Sequence, residues 1–411
     1  MKIFIVALPL FDYSMSVDAY RLCQHSGDKM MGIKDNFMRM SEALYSPGLE
    51  LVESVGLGSF TGNNTLFADI SKLQILTGSL KNLYIDPTKL VCVLPAEDAE
   101  DQDMVVKCAE LKEAGYRFAL DAYPKKGKDS AILSVLDYIY LDYSNAHFYP
   151  WLKSVNKDMR KIRPVVLNIP DTDTFDMLSN DHKCLFTGDF YSQPITKGVS
   201  VISPVKINAL HLINQVNQEE FDLLDAVKII ERDPYLTISL LRFINSGAIG
   251  ISRKIESIKG AVAILGQKEV RKWATVAISM SLAEDRPSEI TKLSLVRAKF
   301  AENLAGAFEL GVFQPQLFMT GLFSMLDVIL QKPMEEAIQE VSIDNRVREA
   351  LVNKSGELYK VLDLIYAYEH ADWDKASIVM IQNNTDIETV SNAFIDALQW
   401  YNQLLQAIDD Q

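Results

Sequence analysis

The sequence predicts a mixed architecture, α/β followed by all-α, in which a TIM-like (β/α) barrel gives way to a helical bundle. Three observations carry this reading. Over residues 1–200, short apolar runs alternate with helical patterns, as parallel strands joined by helical crossovers require. From Ser203 onward the strand-like runs stop and apolar stripes at helical spacing replace them. The 411 residues also exceed what one ordinary core holds, so two domains are expected, 1–200 and 201–411.

The expected strands of the first half are Ile3–Ala7, Leu66–Ile70, Leu90–Leu94, Phe118–Leu120, Ile139–Leu141, Val165–Ile169 and Cys184–Phe186. Helices are expected between them, including Asp103–Ala114 and Asp173–Leu178. At this length a barrel is favoured over an open doubly wound sheet. No GxGxxG or GxxxxGKS/T run occurs, so nothing points to a dinucleotide fold or a P-loop. The boundary falls near the Pro194–Pro204 segment. Beyond it, helical stripes run through Ile207–Val216, Phe221–Ile230, Val262–Leu282, Leu293–Leu310, Leu322–Leu330, Val347–Val352, Leu358–Tyr368 and Val390–Ile408.

Composition narrows the function classes. A formal net charge of −14 gives an acidic surface, which argues against broad binding to nucleic acid or anionic membrane. Arg271-Lys272-Trp273 pairs cations with an aromatic, and Lys125-Lys126-Gly127-Lys128 is a short basic loop, but neither outweighs that acidity. Cys23, Cys92, Cys108 and Cys184 show no CxxC spacing and suit buried free thiols in a reducing cytoplasm. The apolar start MKIFIVALPLF is short and stops at Asp12, so it reads as a first strand rather than a signal peptide. No apolar segment is long enough for membrane insertion. The five histidines form no HxxxH or HxxH pair.

Several short motifs in a fixed order make the first half resemble the EAL family. Ala7-Leu8-Pro9-Leu10-Phe11-Asp12 is similar to the "QPI" opening, and Phe67–Ser71 to the "iNvS" strand. Ala114-Gly115-Tyr116-Arg117-Phe118-Ala119-Leu120-Asp121-Ala122-Tyr123 resembles "Gy.ialDDf", and Ile139-Tyr140-Leu141-Asp142 resembles "iKiD". Gly188-Asp189-Phe190-Tyr191-Ser192-Gln193-Pro194 resembles the "QGyffskP" end. The resemblance implies a barrel and a cyclic di-GMP phosphodiesterase ancestry. Members of that family use two divalent metals to make a hydroxide and to stabilise phosphoryl charge. This chain departs from the metal-binding pattern. The motif Glu falls on Arg21, the Asn on Asp69, the next strand's Glu on Cys92, the second Asp of "DDF" on Ala122, the Lys on Tyr140 and the Gln on Thr187. The strand at Val166-Leu167-Asn168-Ile169-Pro170 keeps neither Glu. Asp69, Asp121 and Asp142 are the remaining cleft candidates, and the same carboxylates also suit strand ends that accept loop N–H groups. The literal tripeptide Glu42-Ala43-Leu44 lies in an expected amphipathic helix, Asn36–Val52, not at a strand end.

In the second half, Asp233-Pro234 reads as a helix start, Asn245-Ser246-Gly247 as its end and Gly266 as the close of the next helix. Together with Leu240-Leu241, Ile255, Ser257-Ile258, Ala261 and Leu265-Gly266, these residues resemble the HDOD family, all-helical relatives of HD phosphohydrolases without the metal ligands. The helix Gly321-Leu322-Phe323-Ser324-Met325-Leu326-Asp327 stands at the HD signature, with Ser324 for His and Met325 for Asp. His370-Ala371-Asp372-Trp373 has the look of a segment found where EAL-like and HDOD halves are joined. The implied protein is a non-catalytic bacterial signalling protein that needs no cofactor. Its EAL-like barrel serves as sensor or docking module, its HDOD domain binds protein partners, and cyclic di-GMP is a candidate ligand. The alternative is a cyclic di-GMP phosphodiesterase with a rearranged Mg or Mn site around Asp69, Asp121 and Asp142. Oligomeric state is left open.

Overall fold

The computed structural model describes residues 3–26, 46–193, 210, 213–214, 216–218, 222–232, 240–241, 244–245, 255, 257–283 and 287–409. Glu42-Ala43-Leu44, Asp233-Pro234, Ser246-Gly247 and the Pro194–Pro204 boundary lie outside them. The described residues separate into two compact units. One takes Met1–Tyr191 together with Ala367–Trp373; the other takes Ser192–Tyr366 and Asp374–Gln411.

In the first unit, eight strands close into a barrel in chain order. They are β1 Ile3–Phe11, β2 Val17–Ser26, β3 Thr65–Asp69, β4 Leu90–Leu94, β5 Arg117–Leu120, β6 Tyr138–Asp142, β7 Arg163–Ile169 and β8 Leu185–Gly188. The strand-and-barrel expectation holds, with two corrections. First, β2 escaped the sequence reading because Asp18, Arg21, Gln24 and His25 interrupt its apolar run. It is a strand because β1 and β3 pair with it on both edges. Second, the strands are not all parallel: β1 runs antiparallel to both β2 and β8, while β2 to β8 run parallel.

Side chains alternate in and out along each strand. The inward set includes Leu10, Ala19, Phe67, Val91, Val93, Ala119, Tyr140, Val165 and Leu185, which pack as one buried cluster. The barrel is therefore filled rather than open, and chemistry is confined to the carboxyl ends of the strands. Helices pack outside. Gln102–Glu113 starts at Asp101, whose carboxylate accepts from the Asp103 and Met104 N–H groups. Lys72–Thr77 starts with a reciprocal capping box between Ser71 and Gln74.

The pairing of β1 with β8 is confined to Phe11 and Phe186, so the earlier part of that β1 edge needs other partners. Tyr368 supplies one. Its hydroxyl accepts from the Ile5 N–H at 3.2 Å and donates to the Ile5 carbonyl at 2.9 Å. Trp373 stacks on Phe4 with ring centroids 5.1 Å apart. Residues more than 360 positions downstream in sequence thus complete the barrel's first strand.

The second unit is helical, as expected. Its helices include Leu223–Arg232, Ile258–Leu282, Ser288–Leu304, Gln314–Phe323, Leu326–Leu330, Glu357–Glu369, Trp373–Gln382 and Ile387–Asp409, the last part of Glu357–Glu369 and the first residue of Trp373–Gln382 being counted with the barrel unit. Gly266 has φ +75° and breaks the run from Ile258 to Leu282 into two helices, in line with its expected role as a helix close. Three expectations need correction. The stripe Leu293–Leu310 leaves its helix after Leu304, Leu322–Leu330 is interrupted between Phe323 and Leu326, and Trp373–Gln382 is an additional helix. Apolar periodicity runs on through such short breaks because the turns are buried too: Ala305, Phe308 and Leu310 all lie in the core.

Candidate functional site

The carboxyl ends of the parallel strands bring Arg21 and Cys23 from β2, Asp69 from β3, Asp121 from just after β5 and Tyr140 from β6 into one electrostatic cluster. Arg21 is its centre. Its guanidinium lies over the Tyr140 ring, 4.9 Å from the centroid. Burial alone would lower its pKa, but Tyr140, Cys23, Asp69 and Asp121 raise it on balance, so the side chain is a permanent cation. Tyr140 is fully buried, and its hydroxyl and the Arg21 Nε are buried polar atoms without a hydrogen-bond partner among the described residues.

The two carboxylates around this cation reach solvent at the mouth, yet the surrounding protein strips enough water to push both up. For Asp69, burial raises the pKa, Arg21 opposes it and Asp121 adds to it. For Asp121, burial raises it against the Ala96 N–H, which donates to Oδ1 at 2.7 Å, and against Arg21. Cys23 shares the cluster, and burial pushes its thiol up to about 11. Cys23 was not a sequence candidate for the cleft, because β2 was not read as a strand.

Asp142 is placed differently. Burial would raise its carboxyl, but the Ser144 hydroxyl and N–H, at 2.7 and 2.9 Å, and the Asn168 side chain hold it below the usual range. Arg21 is not among its electrostatic partners. Asn168 itself adopts φ +59° at a break in the β7–β8 register. Opposite this break Gly188 approaches so closely that a Cβ would lie 2.3 Å from the Ile169 carbonyl oxygen.

Cys92 corrects the sequence alignment. It alternates with the inward residues Val91 and Val93, so it faces away from the cleft, against Cys108 of the Gln102–Glu113 helix. The inward position of β4 at the level of Asp69 is Val93, an apolar residue. Among the described residues, no group of three or more His, Cys, Asp and Glu side chains has the arrangement to hold a metal ion. A carboxylate pair around a fixed cation does not fit the two-metal chemistry that the EAL resemblance implies.

The helical unit repeats the theme at the HD signature. A Cβ on Gly321 would stand 2.4 Å from the Arg297 carbonyl oxygen, so only glycine lets Gln314–Phe323 cross Ser288–Leu304 this closely. The crossing places Ser324 and Met325 against Arg297, a buried cation. Its guanidinium donates to the Ser324 hydroxyl at 3.1 Å, contacts the Met325 sulfur at 2.9 Å and lies over the Tyr366 ring at 4.9 Å. Asp327 is pushed up by burial, against its own and the Val328 N–H groups and Arg297. The sequence marked Ser324 and Met325, but Arg297 lies 27 residues earlier and carried no signal linking it to them.

The remaining sequence features take ordinary places. Trp273 is buried and Lys272 pairs with Glu302 at 2.7 Å, so Arg271-Lys272-Trp273 offers no ring to stack on a base. Lys126 pairs with Glu100 at 3.0 Å. Among the described residues no helix is long and apolar enough to cross a membrane.

Residues 203–359 match the HDOD domain. The uncharacterized protein YuxH of Bacillus subtilis is 27% identical over 99% of this chain and 100% of its own length. The cyclic di-GMP phosphodiesterase CdgJ of Vibrio cholerae is 24% identical over 98% of this chain and 94% of its own. A crystal structure of an EAL domain protein from Listeria monocytogenes superposes with a TM-score of 0.37 at 14% identity, covering 47% of this chain and 89% of that one.

Proposed function

We propose that this chain, an EAL-like barrel followed by an HDOD domain, is a non-catalytic signalling protein of the cyclic di-GMP network. The barrel serves as sensor or docking module, and the helical domain binds protein partners in the cytoplasm. The observation that carries the reading is Arg21. A half-buried, permanently charged guanidinium stands in the cleft with Asp69 and Asp121, and a divalent cation brought there would meet a like charge in a medium that screens less than water. Arg297 beside Ser324 and Met325 supports the same reading for the helical domain, since a cation again lies where HD relatives hold metal.

A second reading, a phosphodiesterase with a rearranged metal site, is favoured by one observation. Asp69 and Asp121 are close enough to perturb each other's field, as paired metal-binding carboxylates do. The name of the Vibrio cholerae relative points the same way.

The deciding experiment is calorimetric titration of the full-length protein with cyclic di-GMP in the presence of Mg²⁺ or Mn²⁺, followed by a turnover assay on the same sample. The proposal expects no hydrolysis, with Asp121→Ala indistinguishable from the parent. Binding without turnover assigns the barrel as a sensor; absence of binding assigns it as a docking module. Metal-dependent turnover that Asp121→Ala abolishes overturns the proposal.

A further inference from the structure

The barrel unit carries a second concavity, an open cavity of about 670 Å³ lined by residues from 128–134 and from 157–162. These two stretches lead into the amino ends of β6 and β7, away from the Arg21 cleft at the carboxyl ends. The lining holds four cations, Lys128, Lys157, Arg160 and Lys161, and one carboxylate, Asp158. All four cations are exposed, and none makes an ion pair or a side-chain hydrogen bond among the described residues. Elsewhere in the barrel Lys72, Lys112, Lys126 and Arg163 each have a carboxylate partner. The Asp158 carboxylate accepts from the Ser154 hydroxyl one turn earlier, at 3.5 Å. Nearby Glu100 is committed to the Ser130 hydroxyl at 2.7 Å and to Lys126 at 3.0 Å. Even with exposed Asp129, the sequence neighbour of Lys128, cations outnumber carboxylates by four to two. The chain as a whole has the opposite balance, 41 Lys and Arg against 55 Asp and Glu.

Folding accounts for one of these charges. The carbonyl end of the Phe148–Asp158 helix favours a cation in its last turn, where Lys157 stands. Lys128, Arg160 and Lys161 lie outside that helix, and crowding like charges works against the compact state. Shape and charge then select the occupant. A membrane is broad and flat, and duplex nucleic acid carries a charge every ~1.7 Å of its axis. Either would run past the four cations onto a chain of net charge −14. A short extended peptide with a few carboxylates ends where the cations end. Half-buried Ala131 and Leu133 in the same lining offer apolar surface to a side chain between those carboxylates, and the Arg160 guanidinium has the planar fork that grips a carboxylate.

We infer that this groove docks a short acidic segment of a partner protein. Its carboxylates meet Lys128, Lys157, Arg160 and Lys161, and an apolar residue between them lies against Ala131 and Leu133. The inference rests on the reading of the barrel as a docking module and gives that module a surface. The cyclic di-GMP turnover assay judges the non-catalytic reading and a peptide titration judges the groove, so the two fail separately.

The test is fluorescence anisotropy of a labelled, end-blocked Asp-Glu-Leu-Asp-Glu peptide titrated with the full-length protein at low salt, about 0.05 M. Parallel titrations use the uncharged Asn-Gln-Leu-Asn-Gln peptide, a single-stranded oligothymidylate and phosphatidylglycerol vesicles. The acidic peptide should bind at least about tenfold more tightly than its uncharged counterpart. The double variant Arg160→Glu/Lys161→Glu should weaken it about tenfold or more. Lys81→Glu/Lys183→Glu makes the same change in net charge at two other exposed lysines of the barrel, and should weaken it less than about twofold. Carbodiimide coupling of the peptide to the parent protein, mapped by mass spectrometry, should place it on Lys128, Lys157 or Lys161; if the double variant unfolds, this map decides alone. Four results overturn the inference: no preference for the acidic peptide, equal weakening in both double variants, coupling only to other lysines, or an oligonucleotide or vesicle that binds more tightly than the peptide and loses binding in Arg160→Glu/Lys161→Glu.

Discussion

The Asn245 side chain pairs with the Ile255 backbone in both directions. Its Oδ1 accepts from the Ile255 N–H at 2.7 Å and its Nδ2 donates to the Ile255 carbonyl at 2.8 Å. A carboxamide thus reads a main-chain unit ten residues away as a strand would, and a third bond from Nδ2 to the Leu241 carbonyl, at 2.6 Å, ties it to its own helix. Asn245→Ala should cost about 1–3 kcal/mol, because it frees backbone groups at a partly buried connection. Denaturant unfolding measures the loss. A variant that melts like the parent yet loses a protein partner would make this turn a contact site instead of a structural tie.

Gly321→Ala should be more damaging than its single added methyl suggests. The new Cβ meets backbone of the Ser288–Leu304 helix at Arg297 and Ala298, which cannot swing away. Separating the helices should cost about 1–3 kcal/mol of stability. It should also loosen Arg297 from Ser324. Urea unfolding reads the first effect, and faster tryptic cleavage at Arg297 under native conditions reads the second.

Tyr368→Phe removes one oxygen and keeps the ring packed on Phe4. The Ile5 N–H and carbonyl then lose their shared partner. A loss of about 1–3 kcal/mol is expected. Faster amide exchange at Ile5, with little change at Leu66–Ala68 in the opposite part of the sheet, would locate the effect on β1.

Arg21→Met should make stability fall more steeply as pH rises above the ordinary carboxylate range, about 4. Asp69 and Asp121 already have folded-state pKa values raised by burial, with Arg21 holding them down. Without the cation they rise further. A carboxyl with a raised folded-state pKa contributes stability below its unfolded value and loses it as pH rises through the folded value. The gap between variant and parent in thermal unfolding should therefore be wider at about pH 7 than at about pH 4. An equal gap at both values would mean that Arg21 acts through packing on Tyr140 and not through its charge.

Much of the architecture was legible because element type is a local property. Short continuous apolar runs such as Leu90–Leu94 and helical stripes such as Leu358–Tyr368 declare themselves within a few residues. Motif order then carried the reading from elements to a barrel and a bundle. β2 was illegible for a physical reason: a strand whose inward side chains include Arg21 and Cys23 has no apolar alternation to detect. The same strand brings the cation to the site, so the strand hardest to read carries the residue on which the proposed function rests.

Asp69, Asp121 and Asp142 were visible in the sequence as carboxylates at strand ends. Only the closed barrel determined that Arg21 acts on the first two, while Ser144 and Asn168 hold the third. Facing was decided the same way: Cys92 and Val93 are neighbours in sequence, and the pleat sends one to the outer helices and the other to the barrel interior. Arg297 meets Ser324, and Tyr368 meets Ile5, only because packing closes long stretches of chain. The sequence by itself determined the fold class of each half and most of the strands and helices that declare themselves locally. The tertiary structure decided which charges surround the cleft carboxylates, since burial and charge pairing depend on neighbours in space that no local pattern records.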